Sequence, residues 1–303
     1  YPKQTMKDLP DFHIQMNEAS DWQISLLLIT MKKLFFVFIF LPCLLVAQSS
    51  FMSFNLRYNN PGDKENSWEN RKVEVADMLN RYRPGILGIQ EGLHDQVVYL
   101  DSALEQYDYT GVGREDGKMK GEYSAIFYHT ATYKLLSSKT YWLSETPEKV
   151  SVGWDAALER IVTYASFINR NTNDTVHVFN CHLDHMGKVA REKSAELMLR
   201  LITGMNIADK KLVVMGDFNA EPHEAPILLF DKQMKCFYKK EGVVSKGPTG
   251  TFNSFNTEEF VTRRIDYIFT KKMTVSEYHH IDQRRSNQLW LSDHLPVLVK
   301  TDD

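Results

Sequence analysis

The chain has 303 residues, 43% hydrophobic and 25% charged, an ordinary globular composition with enough length to bury a core without disulfide or metal staples. Its net charge is −3, so no overall positive field recruits a polyanion, and a nucleic-acid substrate would need a local basic patch.

Residues 1–30 precede Met31, a natural start, and read as an upstream extension without a pattern of their own. Residues 31–47 open on Met31-Lys32-Lys33, run apolar from Leu34 to Val46 and end on Ala47, the pattern of a secretory signal peptide. That run is shorter than the roughly 20 apolar residues a bilayer span needs. Pro42 before Cys43 disfavours a lipoprotein anchor; an uncleaved membrane anchor is the second reading. The expectation is export to the periplasm or beyond the cell, with no membrane span after signal removal. Cys181 and Cys236, left in the mature chain, make no disulfide framework and read as buried apolar residues.

One domain is expected over 49–303. Phe51 to Leu56 reads as a strand. Asn66 and Glu69 resemble a capping box for a helix carrying Val75, Leu79 and Tyr82 on one face, stopped by Arg83-Pro84-Gly85. Ile86 to Gln90 is a short buried strand ending in Glu91, and 94–106 a second helix. Tyr123 to Tyr128 is a strand. Ile161 to Ile168 and Val176 to Cys181 form a hairpin about Asn171-Thr172-Asn173-Asp174. Val189 to Met205 is a long helix, and Leu212 to Met215 a strand running into Gly216-Asp217; strands at Ile265 to Phe269 and Pro296 to Val299 complete the set. Hairpins mixed with strand–helix units imply an α/β fold with mixed sheets covered by helices.

The polar residues of interest sit where strands end, as ligand sites in such sheets do. Asp217 and Asn219 lie two apart and face one way in an extended segment, with Phe218 toward the core. The pair suits holding and deprotonating a water, although taken alone a turn is the stronger reading. His182, in Asn180-Cys181-His182-Leu183-Asp184-His185, can donate to a phosphoryl oxygen; a lone histidine is more often structural. Asp266, inside an apolar strand, needs a partner, and His294 in Ser292-Asp293-His294-Leu295-Pro296 is a candidate. Asp293 shares its site only if the backbone bends there. Glu91, with no cysteine or histidine cluster beside it, suits a hard cation bound through oxygen, Mg²⁺ with Mn²⁺ or Ca²⁺ as substitutes. Asn55 could hold Glu91 or the cation's ligands.

No one segment is specific. Together, Met-Ser-Phe-Asn55, Gln90-Glu91, His182-x-Asp184, Gly216-Asp217-x-Asn219, Arg264-Ile265-Asp266-Tyr267 and Ser292-Asp293-His294 resemble the endonuclease/exonuclease/phosphatase superfamily, the deoxyribonuclease I-like enzymes, over about 51–300. Gly121 to Tyr128, Trp142 to Pro147 and Gly153-Trp154-Asp155 with Arg160 look like a secreted bacterial subgroup. The resemblance implies a four-layer α/β/β/α sandwich, two mixed sheets flanked by helices. It implies that Glu91, Asn55 and Asp293 serve the metal, and that His182, Asp217, Asn219, Asp266 and His294 serve catalysis. Arg114, Tyr123, Trp154 and Arg160 become candidate substrate contacts. For Arg114 a solvated loop arginine, and for Trp154 buried packing, weigh as much.

The expected function is metal-dependent hydrolysis of a phosphoester, on a phosphorylated small molecule or nucleic acid, without a stable protein partner. A phospho-ligand-binding protein on the same scaffold is the alternative. No Lys/Arg run beside the motifs suggests a nuclease groove, and no apolar loop suggests a sphingomyelinase; a phosphorylated sugar, inositol or nucleotide-like ester fits better. Whether Asp217 or His294 is the general base, and whether one metal or two is bound, stay open.

Overall fold

A computed structural model of the protein describes residues 49–302. The segments expected to be an upstream extension (1–30) and a signal peptide (31–47) lie outside the described residues. Among the described residues no helix is long and apolar enough to cross a membrane.

The chain folds into two mixed sheets. The first takes β1 (Ser49–Asn55), β2 (Ile86–Gln90), β3 (Tyr107–Thr110), β4 (Ile126–His129), β10 (Val244–Lys246), β12 (Val275–His280) and β13 (Val297–Thr301), in the order β10-β12-β13-β1-β2-β4-β3. The second takes β5 (Tyr133–Trp142), β6 (Ile161–Asn169), β7 (Thr175–His182), β8 (Lys211–Asp217), β9 (Lys235–Cys236) and β11 (Asp266–Lys271), in the order β5-β6-β7-β8-β11-β9. The pairs β1–β2 and β7–β8 are parallel, and the strands beside each pair run antiparallel to it.

Period-two alternation assigns the faces. Met52, Phe54, Leu87 and Ile89 share a core with α1 (Trp68–Tyr82) and α2 (His94–Ala103). On the opposite face, Phe51 and Ile86 join Val178, Val213, Met215 and Ile268 of the second sheet. Beyond that sheet, Tyr267, Phe269 and Phe218 pack with Phe230 of α4 (Ala225–Asp231), while Met198 and Ile202 of α3 (Lys188–Gly204) join the same core. The four layers expected from the resemblance are therefore present, and each fully buried aromatic adds roughly 1.5–3 kcal/mol to their cohesion.

Helix α1 buries Trp68, Arg71, Val75, Met78 and Leu79, three or four residues apart, and ends on Arg83 in a left-handed conformation just before Pro84. The anticipated capping box does not form. Ser67 occupies the N-cap without a side-chain bond, and Asn66 Oδ1 instead accepts from Arg285 Nη2 at 2.6 Å. Strand β5 escaped the sequence pattern because it is an edge strand whose central residues are largely exposed.

One polar knot joins the sheets near the site. Asn180 of β7 donates from Nδ2 to the carbonyls of Ile89 and Ala125, at 2.8 and 2.9 Å, and accepts from Gln90 Nε2 at 2.6 Å. Gly88 makes room for it: a Cβ there would stand 2.7 Å from Asn180 Cγ.

His280, at the end of β12, is fully buried, bonded through Nδ1 to Pro248 O at 2.8 Å and stacked on Tyr238 with centroids 4.4 Å apart. Burial pushes its pKa from 6.5 to about 4. Between those values the unfolded chain holds the extra proton, so stability rises with pH across this window and is lost on acidification, by up to about 3 kcal/mol from this residue. Urea titrations from pH 7 to pH 4 are expected to show a shallower decline for His280→Phe than for the wild type. An equal decline would remove His280 from the acid response.

Candidate active site

Strand register builds the site. In the second sheet His182 lies opposite Asp217 across β7–β8, and Asp217 opposite Asp266 across β8–β11, so three polar side chains share one row at adjacent strand ends. Gly216, at φ +147°, is required before Asp217 because a Cβ would strike the Cys181 carbonyl oxygen. In the first sheet Asn55 pairs with Gln90, and Glu91 follows in a left-handed conformation at φ 58°. The sheets meet at Asn55, whose Nδ2 donates to Glu91 Oε1 and Asp217 Oδ2, both at 3.0 Å. Its Oδ1 accepts from Arg57 N at 2.9 Å, so Asn55 faces the carboxylates as a donor and its oxygen faces the chain. Glu91 Oε2 accepts from Tyr58 N at 3.1 Å.

Phe218 is buried as expected, but Asn219 turns into the left-handed region at φ 46° instead of continuing the strand. The turn lets Asn219 N donate to Asp217 Oδ1 at 2.8 Å, while Nδ2 donates to Leu183 O at 3.0 Å and lies 3.2 Å from His182 Nε2. Asp266 Oδ2 is 2.9 Å from His294 Nδ1 and accepts from Thr251 Oγ1 at 2.6 Å. His294 Nε2 lies 3.8 Å from Asp217 Oδ2. The backbone bends at 291–293, so Asp293 and His294 face the same cleft. Ser292 Oγ fixes the bend by donating to Asn55 O at 2.7 Å.

The cleft holds about 550 Å³. Glu91, Arg160, His182, Asp217, Asn219, Asp293 and His294 line it, with Asn55 and Asp266 behind them. Arg160 is buried and held by Asp184, its Nε donating to Oδ2 at 3.2 Å, and its Nη1 reaches His182 at 3.2 Å. The other three candidate contacts sit elsewhere. Arg114 is buried rather than solvated and pairs with Glu122 at 2.7 Å. Tyr123 donates to Lys118 O at 2.9 Å in a small side crevice. Trp154 packs half-buried against the second-sheet core. The sequence reading missed Arg57, Tyr58, Glu122, Phe252 and Arg263, which also line the cleft. Arg57 is signalled only by its closeness to Asn55, and Glu122 by its place in Gly121-Glu122-Tyr123.

Buried charge sets the protonation pattern. Burial, with Asp266 and Glu91 nearby, pushes Asp217 up to about 7. Burial also raises Asp293, with Glu91 adding to the effect. His294 is held well above the ordinary imidazole range: burial opposes this, but Asp266 and Asp217 outweigh it. His182 goes the other way, kept neutral by burial and by the Arg160 and Arg114 charges.

Glu91, His182 and Asp217 each offer a ligand atom within 4.8 Å of the others. Glu91 is partly exposed to the cleft, whereas Asp217 and Asp293 carry raised pKa values that a nearby cation would lower. A carboxylate-rich set of this kind fits a hard divalent ion beside Glu91.

The family model for the endonuclease/exonuclease/phosphatase family matches residues 52–294. A solved endonuclease/exonuclease/phosphatase from Bacteroides vulgatus is 35% identical, with TM-score 0.79, covering 84% of this chain and 98% of that one. A mannosyl-6-phosphatase from Bacteroides thetaiotaomicron is 34% identical, with TM-score 0.78, covering 84% and 99%. The catalytic domain of human nocturnin, 20% identical with TM-score 0.65 over 84% of this chain and 94% of its own, shares the fold. Sequence motifs, sheet topology and these likenesses agree: the chain belongs to the endonuclease/exonuclease/phosphatase family.

Proposed function

We propose that the protein is a divalent-metal-dependent phosphoester hydrolase acting on a small phosphorylated sugar. The observation that carries the hydrolase reading is the row His182–Asp217–Asp266, with His294 bonded to Asp266 and Glu91 facing it from the other sheet. The sugar preference is supported by the likeness to a mannosyl-6-phosphatase and by a compact cleft with carboxylates prominent in its lining.

In this reading Glu91, with Asp293 beside it, would hold Mg²⁺ (Mn²⁺ or Ca²⁺ as substitutes), which would supply charge neutralisation at the phosphoryl group and a lowered pKa for a bound water. Asp217, held at the strand end between Asn55 and the Asn219 backbone, accepts the proton of the attacking water. Its Oδ1 bond from the Asn219 backbone and its Oδ2 bond from Asn55 fix the carboxylate for that task. His294, protonated and locked by Asp266, offers Nε2–H to the phosphoryl or leaving oxygen. Asn219, neutral His182 and Arg160 add fixed donors where negative charge grows. Arg114, Tyr123 and Trp154 support the walls rather than the ester. The domain at 49–303 is the acting unit, exported by the segment at 31–47, without a stable protein partner.

A metal-supplemented screen of sugar phosphates, inositol phosphates, nucleic acids and sphingomyelin is expected to give phosphate release from sugar phosphates. EDTA should abolish it, and Mg²⁺ or Mn²⁺ restore it. Turnover that survives EDTA sinks the metal assignment; tight binding without turnover across the panel favours a binding protein instead.

A further inference from the structure

A second cavity of about 470 Å³ adjoins the cleft and shares Phe252 and Arg263 with it. Its wall is the loop 252–263, which is anchored rather than loose. Gly250 N donates to Val261 O at 2.9 Å, and Thr251 N and Phe252 N both donate to Arg263 O, at 2.8 and 3.0 Å. Trp290 Nε1 donates to Asn256 O at 2.7 Å, and Val261, Trp290, Leu295 and Phe255 form a small core beneath. Ser254 and Phe255 both sit in left-handed conformations, at φ 51° and 57°, which bends the loop around the cavity. At its tip Phe260 is 94% exposed, on a loop whose neighbouring apolar residues found cover. Folding gains nothing from an aromatic ring held in water.

Resting on the sugar-phosphate reading, we propose that this cavity is a carbohydrate subsite, which binds the sugar unit beyond the one carrying the scissile phosphate. Phe260 supplies an apolar face for the C–H side of a sugar ring. Among the described residues, Ser254 Oγ, Thr262 Oγ1 and Asn256 Nδ2 have no hydrogen-bond partner and offer neutral groups to sugar hydroxyls. This combination of an apolar face with a few oriented polar groups is how small ligands are fixed. Charge argues against a polyanion in the same place. Glu258 and Glu259 immediately precede Phe260, and Arg263, whose guanidinium lies over the Phe252 ring at 5.4 Å, is the one basic residue lining the cavity. The same two glutamates disfavour an anionic lipid surface.

The test compares a phosphorylated monosaccharide with the corresponding phosphorylated disaccharide, on the full chain and on Phe260→Ala, a substitution too exposed to disturb folding. The wild type is expected to favour the disaccharide by about tenfold in kcat/KM, mostly through KM, as one aromatic contact provides. Phe260→Ala should erase that preference and leave the monosaccharide rate within twofold. Saturation-transfer NMR with the unphosphorylated disaccharide reads the subsite without turnover, and its signal should vanish in the variant. No preference and no NMR signal in the wild type, or both unchanged in Phe260→Ala, overturns the subsite while leaving the hydrolase reading intact. Hydrolysis of no sugar phosphate, with disaccharide binding still lost in the variant, sinks the substrate reading but supports the subsite. Loss in the variant of activity on polynucleotides or phospholipid vesicles, instead of disaccharide binding, overturns the carbohydrate assignment.

Discussion

Replacing Asp217 by asparagine is expected to lower kcat/KM by about a thousandfold or more while leaving the metal-free protein as stable as before or more so. The two halves of this expectation come from one fact. Asp217 is buried beside Asp266 and near Glu91, so its carboxylate is raised to about 7 at a cost to the fold. Asparagine keeps the shape and an acceptor for Asn55 or Asn219, yet removes the like charge and the proton acceptor together. Melting in EDTA and steady-state kinetics with Mg²⁺, on the same preparation, check both. A variant with a lower melting temperature and activity within tenfold of wild type would make Asp217 a structural ion-pair residue and refute the proposed role.

Asn180→Leu is expected to be the most damaging substitution away from the cleft. It strips the Asn180 amide from the Ile89 carbonyl, and takes one of two partners from the Ala125 carbonyl, which keeps Ile89 N at 2.9 Å, and the shortest bond from Gln90 Nε2, all in the packed space between the sheets. At about 1–3 kcal/mol for the buried carbonyl left unsatisfied, and less for the two groups that keep a partner, the loss is about 3 kcal/mol, or roughly 8 °C in melting temperature. The residual Gln90 bond to Ser53 Oγ at 3.2 Å limits the damage at that end. Urea midpoints measure it directly. A shift below about 1 kcal/mol would mean that water enters and replaces the amide, so the inter-sheet space is not dry there.

How much of this was readable in advance depended on the kind of signal. Strands β2 and β8 announced themselves as short apolar runs ending in a polar residue, and Glu91 and Asp217 followed from that pattern. The Asp266–His294 bond was inferable because a carboxylate in an apolar strand demands a partner. Register was not readable: that His182, Asp217 and Asp266 stand side by side depends on pairing between segments far apart in sequence. The two-sheet arrangement came only through the resemblance, since nothing local tells β1 to lie between β2 and β13. Of the cleft residues that escaped, Arg57, Phe252 and Arg263 are single residues outside the regular strands and helices, where no periodicity marks them. Arg114 and Trp154, candidates carried by motifs, lie outside the lining of the cleft.

The position of β13 also governs when the site can form. The segment carrying Asp293 and His294 leads straight into this strand, which fills the gap between β12 and β1. Until it is in place, β1 lacks a neighbour on one side, and Asn55 O lacks the hydroxyl of Ser292. A ribosome delivers these residues after every other element of the site. A growing chain therefore carries Glu91, His182 and Asp217 without a finished centre, and the site is complete only once Ser292 to Thr301 has joined the sheet.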